Sequence, residues 1–154
     1  MRPYRSLNTP ANVDEVIARL ATLQPDSVRK WGTMTPHEML CHLADSFRGM
    51  LRERPTSKAP SSAVQRQLVR FIALHTPVPW PQGVPTRPEV NPHDKGTKPV
   101  VFESDRVAVR ELMHRFAKPD AVYGEHPMFG ALSRREWMIW GYRHVDHHFR
   151  QFRI

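Results

Sequence analysis

Between Pro77 and Pro99 the chain carries seven of its 15 prolines. No regular helix or central strand can run through them, because each proline lacks an amide hydrogen and its ring clashes with the preceding turn. Regular structure must therefore be built on either side of this segment. So long a connection inside one small domain is uncommon, and it is expected to be either an ordered cover over one end of the fold or a mobile lid.

The flanking segments read as helices. Asn12 is a suitable N-cap for a stretch in which Val13, Val16, Ile17, Leu20 and Leu23 recur at the three-to-four spacing of one buried face, stopping at Pro25. Thr35, Pro36 and Glu38 form the pattern of a capping box with proline at the first helical position. The stripe Leu40, Leu43, Phe47, Met50 and Leu51 follows, with Pro55 as its end. A weaker amphipathic segment spans Ser61 to His75 with Val64, Leu68, Phe71, Ile72 and Leu74. Beyond the proline-rich loop, Ser104 or Asp105 is expected to cap a helix through Val107, Val109, Leu112, Met113 and Phe116, ending before Pro119. Ser133 and Glu136 open the last helix with a second capping box. Four principal helices, one minor one and no alternating strand pattern predict an all-α bundle in a single domain covering residues 1–154.

Composition narrows the function classes. The sole cysteine, Cys41, cannot form an internal disulfide or a redox dithiol, which favours a reducing compartment, and it is expected to be a buried, inert thiol. Met1–Pro10 lacks the apolar run of a signal peptide, and no stretch approaches the ~18 apolar residues of a spanning helix. The chain reads as a cytoplasmic, bacterial-style protein without a membrane partner. A formal charge of +8 attracts anions, yet the basic residues are scattered and no basic run with stacking aromatics is present, so nucleic acid is not expected as a partner. No P-loop, dinucleotide fingerprint or Ser, His and Asp nucleophile pattern is found.

The chemistry lies in the histidines. Trp137, Trp140, Gly141, His144, His148 and Gln151 fall along one side of the last helix, so His144 and His148 point the same way one turn apart. Two imidazoles at i and i+4 can hold one metal at about 2.1 Å, but two ligands bind weakly. Third candidates are His37, His42, His75, His93, His114, His126 and His147; His42, beside the apolar stripe of its helix, is the best placed. Gln151, Asp45 or Asp146 could orient imidazoles through the nitrogen away from a metal. Trp31, Trp137 and Trp140 either wall a pocket or fill the core, and His126 either shapes a pocket or anchors a turn.

Two stretches carry a family resemblance. His144-Val-Asp-His147-His148-Phe-Arg-Gln151 resembles the signature that ends the last helix of DinB-like, YfiT-type proteins, and Trp31 through Leu43 resembles the opening of their second helix. His126-Pro-Met-Phe-Gly130 with Ser133 and Glu136-Trp137 is similar to a segment of one uncharacterised branch. The resemblance implies a four-helix bundle holding a divalent metal on His42, His144 and His148; zinc or nickel is the expected ion, and His147, at i+3 from His144, is rotated off the pair. It also implies thiol transfer or hydrolysis on a small-molecule substrate, with a low-molecular-weight thiol as cofactor. Three neutral histidines leave an open position, as in catalytic zinc sites, where an ion can activate water or a thiolate. The alternative is a non-enzymatic, metal-stabilised bundle acting in partner binding or dimerisation, and a homodimer is left open.

Overall fold

The computed structural model describes residues 5–154; residues 1–4, the start of the Met1–Pro10 segment, lie outside the described residues. The described residues form five α-helices: α1 Pro10–Thr22, α2 Pro36–Met50, α3 Ala63–His75, α4 Phe102–Ala117 and α5 Arg134–Gln151. There is no strand among the described residues, only an isolated bridge between His126 and Gly130. Among the described residues no helix is long and apolar enough to cross a membrane.

Both expected capping boxes form. Thr35 accepts from the Glu38 amide while Glu38 accepts from that of Thr35, and Ser133 and Glu136 do the same for α5. The start of α1 differs from expectation. Thr9 is its cap, with Pro10 at the first helical position, and Asn12 instead donates its side-chain amide to the Ser6 carbonyl at 2.7 Å. The expected cap of α4 is also corrected. Ser104 and Asp105 lie within its first turn, and Val101 stands at the N-cap without a side-chain hydrogen bond. α2 ends at Met50, not Pro55, because Arg52 takes a left-handed backbone (φ 64°) that reverses the chain before the proline is reached.

α4 packs against α1, α2 and α5, and α1 against α5. Leu20, Leu43, Phe47, Met113, Phe116, Trp137 and Phe149 fill the space between them. Gly141 permits the close approach: a Cβ there would lie 2.7 Å from Leu7 Cδ1 and 3.0 Å from Phe116 Cε1. α3 is different. It lies against α5, tied by the Arg70 guanidinium to Glu136 at 2.6 and 2.8 Å. Its apolar stripe faces outward: Val64 is 77% and Phe71 58% exposed, and only Leu74 is buried.

The proline-rich segment is an ordered strap, with a 3-10 turn at Pro88–Val90 lying on α2. Its main fastening is Asp45, a fully buried carboxylate that accepts from the Thr97 amide (2.7 Å), the Thr97 hydroxyl (2.8 Å) and Arg54 (2.9 Å). Arg54 also donates to the carbonyls of Glu89 and Lys95. On the other side Arg143 holds the Thr76 and Val78 carbonyls, and Trp80 donates to Ala73. With Arg48 also at 3.3 Å, a buried carboxylate meeting two guanidinium groups and an amide is well compensated, so the strap is fixed at both ends.

Candidate metal centre

α2 and α5 face each other through side chains. Phe47 meets Trp140 edge-on at one level, and His42 meets His144 and His148 at the next. The ligand atoms of these three histidines all lie within 4.8 Å of one another, and His42 Nε2 is 3.3 Å from His144 Nε2. Two nitrogens bound at ~2.1 Å to a tetrahedral ion stand about 3.4 Å apart, so the spacing fits a shared ion. His147, three residues from His144, stands outside the trio between Trp31 and Trp80.

Each ring is oriented differently. His42, which is buried, donates from Nδ1 to the Val90 carbonyl of the strap at 2.9 Å, leaving the Nε2 lone pair toward the other rings. His148 donates from Nδ1 to Gln151 Oε1 at 3.0 Å, and the Gln151 amide is itself fixed by donating to the Trp31 carbonyl at 2.8 Å. Gly32 makes room for that amide: its φ is +77°, and a Cβ there would lie 2.7 Å from Gln151 Nε2. Outer hydrogen bonds of this kind set the tautomer and raise the basicity of a ligating imidazole. His144 has neither a carbonyl nor a carboxylate. Its ring is held between Trp140 and Trp80, and its buried Nδ1 has no partner among the described residues. A buried polar atom without a partner is uncommon and points to an ion, a water or a catalytic role.

Burial pushes the pKa of His42 down and those of His144 and His148 far down; for His144 and His148 the neighbouring imidazoles add to the effect. All three are neutral near pH 7, which is the form that binds a metal.

The remaining sequence candidates lie elsewhere, His114 being exposed in the last turn of α4. His75 sits on Glu136, His93 on Glu38 and His37 on Asp105. His126 anchors a turn: its Nδ1 accepts from the Met128 and Phe129 amides, its ring stacks on Phe129, and burial lowers its pKa to about 3. Asp45 and Asp146 do not orient an imidazole. Asp45 fastens the strap, and Asp146 pairs with Arg19 at 2.8 Å. Trp137 and Trp140 are core residues, while Trp31 is half-buried and lines an open hollow with Lys30, Gln82, Arg150, Arg153 and Ile154. Sequence reasoning missed the Val90 carbonyl, since a backbone acceptor leaves no mark on residue choice.

A family model described as a protein of unknown function, DUF1569, matches residues 1–154. No curated protein and no solved structure matches the chain.

Proposed function

Because the chain belongs to the DUF1569 family, whose description assigns no activity, its function is read from the site, and we propose that it is a divalent-metal-dependent enzyme acting on a small molecule. His42, His144 and His148 are the ligands in this reading, and zinc or nickel is the ion. The observation that carries it is the convergence of three neutral imidazoles, two of them aimed by Val90 and Gln151. The fold in this reading is a DinB-like four-helix bundle of α1, α2, α4 and α5 in one domain, with α3 and the strap added.

A bound ion with three histidine ligands supplies Lewis acidity and a lowered pKa for a bound water or thiol. The chain's own residues set the rest. Val90 and Gln151 hold two rings in the tautomer that presents a lone pair, Trp80 and Trp140 restrict water around His144, and the hollow lined by Trp31, whose ring stands against His147, gives a small molecule a place. Transfer to or from a low-molecular-weight thiol, or hydrolysis, are the reactions that suit this arrangement and the DinB-like resemblance.

The test is metal content by elemental analysis of protein purified without a histidine tag, in the parent and in His42→Ala, His144→Ala, His148→Ala and His147→Ala. Near-stoichiometric metal lost in the first three and kept in the fourth is expected. A parent that takes up no ion at this site after addition of zinc or nickel overturns the proposal. A second reading, a metal-stabilised bundle that pairs with another chain, draws on the outward apolar face of α3. A monomer at all concentrations in sedimentation equilibrium removes the homodimer form of it.

A further inference from the structure

On a face of α2 turned away from His42, a second group meets a different neighbour. His37 and Cys41, four residues apart, face the first turn of α4, where Asp105 meets them. His37 Nε2 is 2.6 Å from Asp105 Oδ2, and with Cys41 Sγ the three ligand atoms lie within 4.8 Å of one another. Cys41 is fully buried, whereas the side chains of His37 and Asp105 keep 21% and 24% of their surface. The group therefore has a closed sulfur end and an open imidazole and carboxylate end. Phe102 stands edge-on against the His37 ring and limits its rotation.

We infer that His37, Cys41 and Asp105 form a second divalent-metal site, distinct from the three-histidine centre and suited to an ion of the zinc class. The donor set is the first reason: thiolate, imidazole and carboxylate are the three ligand types of protein zinc sites, and a thiolate excludes magnesium and calcium. Charge is the second. A thiolate and a carboxylate together neutralise a divalent ion, so the loaded site is a neutral unit at the edge of the core and carries no net charge into it. Position is the third. Adjacent residues on a helix diverge by about 100°, so Cys41 and His42 serve separate centres and no ligand is shared.

Without metal the Cys41 thiol is protonated. Burial, and then the charge of Asp105, push it up to about 12, so the sulfur stays an S–H group beside the carboxylate and a poor nucleophile. Metal binding breaks the S–H bond and forms a metal–sulfur bond, the proton leaves to solvent, and no electron is transferred. His37 turns its Nε2 lone pair to the ion by carrying its proton on Nδ1. The sequence reading of Cys41 as inert holds for the thiol and not for the ligand.

Cobalt(II) titration of the full chain tests this, because a thiolate on cobalt gives an intense near-ultraviolet charge-transfer band and Cys41 is the sole cysteine. The parent is expected to develop that band. Cys41→Ser, His37→Gln and Asp105→Asn are expected to lose it together with one equivalent of bound ion, whereas His144→Ala keeps it. Saturation of folded parent protein without the band overturns the inference, as does a band that survives in both His37→Gln and Asp105→Asn. Should Cys41→Ser fail to fold, the parent and the other two variants still decide. A band appearing while the histidine centre stays empty sinks the proposed function and leaves this site standing.

Discussion

Replacing Gln151 by Leu isolates the orienting contact from the ligands themselves. Gln151 is buried, accepts from His148 Nδ1 at 3.0 Å and donates to the Trp31 carbonyl at 2.8 Å. Leucine has similar volume and neither polar group, so it leaves the part-buried His148 N–H and Trp31 carbonyl unpaired at a combined cost of about 2 kcal/mol of stability. Loss of an outer partner also lets the His148 ring turn and lowers its basicity, which weakens metal binding by about 10–100-fold, or ~1.4–2.7 kcal/mol. The two effects are separable. Competition with a chromophoric chelator reads the affinity, and urea unfolding with excess chelator reads the metal-free stability. Gln151→Glu restores the acceptor to His148 but turns a carboxylate oxygen toward the Trp31 carbonyl, so affinity is expected to recover while stability does not. A folded Gln151→Leu protein that binds metal within about twofold of the parent refutes the orienting role.

Other expectations follow from the same contacts. His126 is neutral in the fold with a pKa of about 3, whereas its unfolded value is near 6.5, so the unfolded chain binds the extra proton. Metal-free stability therefore falls as pH drops from about 6.5 toward 3, by about 1.4 kcal/mol per pH unit from this residue; in His126→Asn, urea midpoints across pH 4–7 should show a slope shallower by that amount. Glu136 shows the opposite charge type: burial alone would raise its pKa, but Arg70, Ser133 and His75 hold it at about 2. Its contribution is present above the unfolded value and lost as pH falls through 2, so Glu136→Gln should cost about 3 kcal/mol at pH 7 and little below pH 2, read by denaturant unfolding at both pH values. Gly141→Ala pushes a methyl into Leu7 and Phe116 and should cost about 1–3 kcal/mol in the same assay, while leaving cobalt spectra unchanged.

The sequence was most readable where a local signal coincided with a local structure. Thr35 with Glu38 and Ser133 with Glu136 mark the starts of α2 and α5 because both halves of each capping box lie within four residues. The start of α1 differs because Asn12, a residue type that caps well, lies three positions inside the true cap, Thr9. α4 gave no such signal, since Val101 caps it with backbone alone. The periodicity of α3 is real, but a periodic stripe does not say which side the rest of the protein occupies, and there Arg70 on Glu136 decides. Within the site, the pairing of His144 with His148 follows from helical spacing, and their meeting with His42 was expected from the DinB-like resemblance. The acceptor for His42 and the company of Cys41 are tertiary facts, set by the path of the strap and by the seat of α4 on α2.

The strap acts on His42 through a peptide carbonyl, so what it contributes there is a length and not a side chain. Position 90 can change its residue and still present the same oxygen, provided the path between the Arg143 anchorage at Thr76 and Val78 and the Asp45 anchorage at Thr97 keeps its span. An insertion or deletion of one residue between those anchors would slide the carbonyl away from the imidazole by up to about 3.3–3.6 Å, the reach of one residue, more than a hydrogen bond can stretch. Among chains built on this plan, substitutions should accumulate freely along the strap while its residue count stays fixed, and grafting the centre onto another helical scaffold would require carrying the ruler along with the histidines.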